Sequence, residues 1–270
     1  DAEEELSIKN KPTLRTVFKT RAVMVACENH GLVTAKKNNA GGIGGNMDLG
    51  YVTDCLGTGP VESIDGDYVG GIAGSAYGPI NFSYSKALLS GGNYVGGIAG
   101  LGRELTNCYS MVRVDRGRAC VGAVAGYAEK DSTIKGNYFV SNALAGIDGI
   151  SYMDKAEPIT YEELLEVQNL PEVFKQFTLS FWADDELVAT LKFDYGGSVA
   201  TEDIPEIPLK QGYYGRWKDL KTQGLTFDED IKAEYVRYTG VLESRQKREG
   251  PLSVVLVEGR FSDTDILFLI

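Results

Sequence analysis

The chain is poor in the groups that usually carry chemistry. His30 is the single histidine among 270 residues, so a Ser-His-Asp, Cys-His or H-E-x-x-H arrangement has one position to draw on, and that position reads as an Asn29-His30-Gly31 turn. The four cysteines, Cys27, Cys55, Cys108 and Cys120, include no C-x-x-C pair. They read as buried thiols acting as small hydrophobes, with a Cys108–Cys120 disulfide as the alternative. No metal centre and no cofactor are expected. No run of eighteen apolar residues occurs, so no membrane insertion is expected within this segment. Basic residues are outnumbered, 27 Lys plus Arg against 38 Asp plus Glu, and residues 151–270 alone hold 13 basic and 23 acidic residues. That field repels phosphate backbones and anionic lipid, so nucleic acid is not an expected partner. The chain opens Asp1-Ala2-Glu3-Glu4-Glu5, with no Met, basic n-region or apolar h-region, and is expected to be a segment of a longer protein.

Glycine is plentiful and unevenly placed: 24 of 33 glycines lie in residues 38–150. One phrase recurs there, as Ala40-Gly-Gly-Ile-Gly-Gly45, Val69-Gly-Gly-Ile-Ala-Gly74, Val95-Gly-Gly-Ile-Ala-Gly100 and Val121-Gly-Ala-Val-Ala-Gly126. Its third positions, 42, 71, 97 and 123, are spaced by 29, 26 and 26 residues. A second phrase follows each time, clearest as Ile80-Asn-Phe-Ser-Tyr-Ser85, Leu105-Thr-Asn-Cys-Tyr-Ser110 and Ile134-Lys-Gly-Asn-Tyr-Phe139. Such a period marks a stacked array, and the short apolar pieces between Gly, Asn, Asp and Ser fit coils of strands, not helices. One coil cannot bury its own apolar side chains, so stacking must do it. The spacing predicts one internal ladder of Ile43, Ile72, Ile98 and Val124, and a second of Leu49, Ile80, Leu105 and Ile134. Glycine is expected to supply positive φ at corners and close backbone approach. Val69 and Ile72 have opposite parity in an ideal strand; a bend at Gly70-Gly71 would turn both inward.

The phrase Tyr68-Val-Gly-Gly-Ile-Ala-Gly74, answered by Asn107-Cys-Tyr-Ser110, resembles the GLUG repeat of bacterial secreted and surface proteins. The resemblance covers about residues 23–150. It implies an extracellular β-solenoid and carries no shared catalytic residues.

After the repeat, Thr160-Tyr-Glu-Glu163 forms a capping-box pattern, and residues 160–168 are expected to be a short helix that seals or exits the stack, or simply links. From 177 onward the sequence reads as short strands, with an Asp184-Asp185 turn between the first two. Tyr195-Gly196, Pro205, Pro208, Gly212-Tyr213, Trp217 and Ala233-Glu-Tyr235 resemble the Listeria–Bacteroides (internalin-type) surface repeat over about 177–238. That resemblance implies a β-grasp-like spacer. The expected architecture is therefore mainly β: a right- or left-handed parallel β-solenoid of roughly four to five coils, plus a small β-rich C-terminal domain. Its expected parts are a lead-in at 1–22, the solenoid at 23–150, a linker with a capping helix at 151–176, the β module at 177–238, and a further β segment or tail at 239–270.

Site candidates are few. Gly41-Gly-Ile-Gly-Gly-Asn-Met-Asp48 fails the calcium nonapeptide pattern at Asn46 and Asp48. Asp54, Asp65, Asp67 and Asp115 could serve a polysaccharide-active β-helix, but acids in such positions commonly serve turns. Arg113, Arg116 and Arg118 read as a solvated face. Tyr68 and Tyr94 hold the same place in successive copies, and Tyr84, Tyr109 and Tyr138 form a second set; of these, Tyr68, Tyr94 and Tyr109 are the ligand-contact candidates if they face outward, and repeat packing if they do not. The expectation is a non-enzymatic structural or adhesive segment, rod and spacer, of a bacterial extracellular or cell-surface protein. A host glycan or surface protein is the expected partner. The alternative is a carbohydrate-binding accessory region of a larger secreted enzyme.

Overall fold

The computed structural model describes residues 22–237. The expected tail at 239–270 and all of the expected lead-in except Ala22 lie outside the described residues. The contacts divide the chain into two units at 175/176.

In the first unit each coil visits four faces, and successive coils pair in parallel, as the repeat demands. The first face stacks Ala22–Val25, Gly50–Thr53, Ala73–Asn81 and Ala99–Thr106, and the last of these also pairs with Ala125–Tyr127 and Thr133–Lys135. The second stacks Glu28–Asn29, Leu56–Gly57, Tyr84–Ser85, Tyr109–Ser110, Asn137–Phe139 and Ala156–Pro158. Val33–Ala35, Val61–Ser63, Leu88–Ser90 and Arg113–Arg116 make the third, and Ala40–Gly41, Val69–Gly70, Val95–Gly96 and Val121–Gly122 the fourth. The result is a parallel β-solenoid of about four coils, with a partial fifth layer confined to the first two faces.

The first predicted ladder holds. Ile72, Ile98 and Val124 are fully buried, half-buried Ile43 packs against them, and Ile43 N donates to Ile72 O, Ile72 N to Ile98 O and Ile98 N to Val124 O. The second ladder needs one correction. Ile80, Leu105 and Ile134 are in register, but their partner in the second coil is Val52, not Leu49. Gly44–Met47 and Gly50–Thr53 both lie along Ala73–Asn81, so the longer second coil shifts the inward position past Leu49.

Val69 and Ile72 both point inward, but into different compartments. Val69 joins Val61, Ala87, Leu89 and Val95, whereas Ile72 joins Val52, Ile80, Ile98 and Leu105. Between the compartments the coil is pinched. A Cβ on Gly71 would land on the Ser85 side chain, and one on Gly97 would lie 2.9 Å from Ser110 Oγ and 2.9 Å from the carbonyl carbon of Ala123 in the next coil. Glycine here clears a waist between opposite faces. The positive-φ corners belong to other residues, Asn39, Tyr68, Tyr94 and Cys120 before the fourth face and Ala26, Asp54, Phe82 and Asn107 before the second, with a glycine, Gly136, only in the fifth layer. The expected corner role of glycine is corrected accordingly.

The cysteines fit the same geometry. Just past the second-face corner, the side chain in one coil accepts the amide of its equivalent in the previous coil: Cys27 N donates to Cys55 Sγ (3.4 Å), Cys55 N to Ser83 Oγ (3.2 Å) and Cys108 N to Asn137 Oδ1 (3.0 Å). A small acceptor is what a buried corner amide requires. All four thiols are free, and Cys108 is fully buried.

Residues Ala156–Pro158 close the second face against Asn137–Phe139. The capping box forms, with Glu163 N donating to Thr160 Oγ1 and Thr160 N donating to Glu163 Oε2, but the helix is short, Tyr161–Leu165. The chain then returns along the second face: buried Phe174 meets Tyr84 edge-on at 6.1 Å, and Lys86 Nζ donates to Val173 O.

The second unit is a four-stranded mixed sheet. Phe177–Ala183 and Glu186–Phe193 form a hairpin whose turn residues, Asp184 and Asp185, are both left-handed. Phe177–Ala183 pairs in parallel with Glu229–Arg237, which pairs antiparallel with Tyr213–Trp217, giving the order 2-1-4-3 when these four strands alone are counted, as in a β-grasp-like sheet; Gly197–Ser198 and Gln223–Leu225 form a separate two-stranded sheet. Phe177, Leu179, Phe181 and Ile231 are buried. Trp217 Nε1 donates to Pro205 O and Tyr235 OH donates to Pro208 O, each at 2.8 Å, so the two-proline segment is tied to the sheet. Among the described residues, no helix is long and apolar enough to cross a membrane.

Candidate functional site

Repeat geometry puts tyrosines in register, and the structure sorts the three candidates into two columns. Tyr68 and Tyr94 stack at the corner before the fourth face, with ring centroids 4.7 Å apart and planes 5° from parallel. Tyr109 stands in a separate column on the second face, stacked on Tyr84 and on Tyr138 at 5.5 Å each. Phe174 covers the Tyr84 end of that column, so it reads as packing.

The Tyr68–Tyr94 column is held by backbone on both sides. Each residue has positive φ (63° and 59°), a conformation non-glycine residues rarely adopt. The neighbouring amides compensate: Tyr68 N donates to Asn93 O, Val69 N to Tyr94 O, Tyr94 N to Ala119 O and Val95 N to Cys120 O. One residue earlier, a polar ladder fixes the corner. Asp67 N donates to Asn38 Oδ1 (2.9 Å), and Asn93 N donates to Asp67 Oδ1 (2.7 Å). The Tyr68 phenol is held above its ordinary value of 10.0, first by burial and then by Tyr94 and Asp67.

The sequence signalled Tyr68 and Tyr94 through their equivalent places in the repeat. It did not signal the rings that extend them. Tyr127, 38% exposed, meets Tyr94 edge-on at 5.8 Å and continues the line toward the end of the solenoid. Tyr127 directly follows the fourth glycine phrase, where the preceding coil has Leu101, so the pairing of Leu101 with Tyr127 puts an aromatic in an aliphatic place. Exposed Tyr77 adds a further ring near Tyr68.

The other candidates do local work. Asp54 accepts from Thr53 Oγ1 at a corner, Asp67 serves the ladder above, and Asp115 pairs with Arg113 at 3.4 Å on the third face. Arg116 ties three coils, donating to Ser90 Oγ, Ile64 O and Ser63 O. His30 bridges Thr58 Oγ1 (2.7 Å) and Glu28 Oε2 (3.0 Å) on the surface. The chain matches no family model, no curated protein and no solved structure.

Proposed function

We propose that this chain is a structural, adhesive segment of a bacterial cell-surface or secreted protein, the solenoid acting as rod and the C-terminal unit as spacer. The observation that supports this most directly is where the polar side chains go. Asn38, Asp67, Asn137 and Arg116 bond across coils to backbone groups of their neighbours, and Asn93 Nδ2 donates across coils to Asp67 Oδ1, so these polar side chains maintain the stack. The resemblance of residues 23–150 to GLUG repeats and of residues 177–238 to Listeria–Bacteroides repeats supports the extracellular setting. Labelling of intact source cells with an antibody to this chain, combined with protease shaving, tests the reading. Surface or culture-medium signal, and weaker host-cell attachment when the coding segment is deleted, are the expected results. A pool confined to the cytoplasm overturns it.

A further inference from the structure

A cleft of about 310 Å³ opens where the solenoid ends, between residues 127–134 and 147–155. Its volume is at the low end of small-molecule sites, the size for one ring. Tyr127 and Tyr152, each more than a third exposed, contribute ring surface, and buried Ile134 and Ile147 line its apolar part. Around them stand two carboxylates, Glu129 and Asp148, and two ammonium groups, Lys130 and Lys155. Lys155 Nζ lies 5.4 Å from the centre of the Tyr152 ring.

This chemistry selects its guest. The formal charges cancel, so an anionic ligand meets two carboxylates and a cationic one meets two lysines. A purely apolar ligand would strip water from four charges. A ring with one C–H-rich face and many hydroxyls suits the site. Its C–H face stacks on tyrosine, while each hydroxyl both donates to carboxylate and accepts from ammonium. Beyond Tyr127, Tyr94 and Tyr68 stack face to face and cover each other, so the free ring surface for such a guest is that of the cleft itself.

We infer that the cleft bounded by Tyr127 and Tyr152 binds one residue of a neutral saccharide. The inference deepens the adhesive part of the proposed function, and its test needs no surface location, so either can fail without the other.

Saturation-transfer NMR and calorimetry on the whole chain test it, with glucose, galactose, mannose, N-acetylglucosamine, cellotetraose and maltotetraose as probes. At least one neutral sugar is expected to bind. Tyr127→Ala and Tyr152→Ala are expected to weaken binding about tenfold, whereas Tyr127→Phe retains it. Tyr68→Ala, outside the cleft, is expected to leave binding unchanged. Circular dichroism checks that each variant folds. Absence of binding by every probe, binding of glucuronate or a free amino acid in preference, or binding indifferent to Tyr127→Ala and Tyr152→Ala overturns the inference, whatever the cell-labelling result.

Discussion

A single methyl group at Gly97 puts the waist of the coil to the test. In the Gly97→Ala variant the new Cβ meets the carbonyl of Ala123 in the next coil, with the carbonyl carbon and Ser110 Oγ each at 2.9 Å. Both obstacles are held in place, so the coils must part. That stretches Gly97 N to Gly122 O (3.1 Å) and Ile98 N to Val124 O (2.7 Å). Overpacking of a tight interior costs ~1–3 kcal/mol, and weakening one or two buried hydrogen bonds adds ~1 kcal/mol. Alanine's lower unfolded-state entropy returns ~0.4–1 kcal/mol. The net expectation is a loss of about 1–3.5 kcal/mol, or about 2–14 °C in Tm for a unit of this length. Gly31→Ala is the control. Its Cβ would meet only Asn29 Oδ1, at 3.7 Å, so the entropy gain stands alone and the variant should be neutral or up to ~1 kcal/mol more stable. Urea and thermal melts followed by circular dichroism give both values. If the two variants shift alike, glycine is not clearing a waist and the account of the interior fails.

The modular stack makes further claims. Deleting residues 73–98, one period of 26, joins Ile72 to Ala99 and restores the glycine phrase, so the protein should fold with one layer fewer and keep its β circular dichroism; deleting residues 73–85 should leave it unfolded or aggregated. Ile98→Ala should cost ~2–5 kcal/mol in urea titrations, and Leu49→Ala, outside the ladder and half-buried, under about 1 kcal/mol. Burial pushes the Cys108 thiol from its ordinary 9.0 up to about 12. The native state thus keeps a proton that the unfolded chain releases. Stability from this group is complete below pH 9 and declines between pH 9 and about 12, by ~1.4 kcal/mol per unit. Comparing urea midpoints of wild type and Cys108→Ala at pH 9 and pH 11 isolates that slope, and equal slopes would refute it.

The repeat made much of the architecture legible in advance. A recurring glycine phrase at 26-residue spacing leaves stacking as the means of burying Ile72, Ile98 and Val124, so the parallel coil and its first ladder followed from local pattern alone. The hairpin at Asp184-Asp185 and the capping box at Thr160 were equally local, because each is specified within a few residues. What remained hidden depends on which residues meet across coils. The register that chose Val52 over Leu49 depends on how the second coil's extra residues are accommodated along Ala73–Asn81. The waist arises because Ser85 and Ser110 on one face come up against Gly71 and Gly97 on another, a contact that no spacing within one strand encodes. That Tyr109 belongs with Tyr84 and Tyr138, and not with Tyr68 and Tyr94, was legible from their different phrases; that Phe174 covers the Tyr84 end of that set was not. The terminal cleft joins Ile134, from the last copy of the second phrase, to residues 128–132 and 147–155 outside the repeat phrases, where the folded chain alone decides which side chains gather.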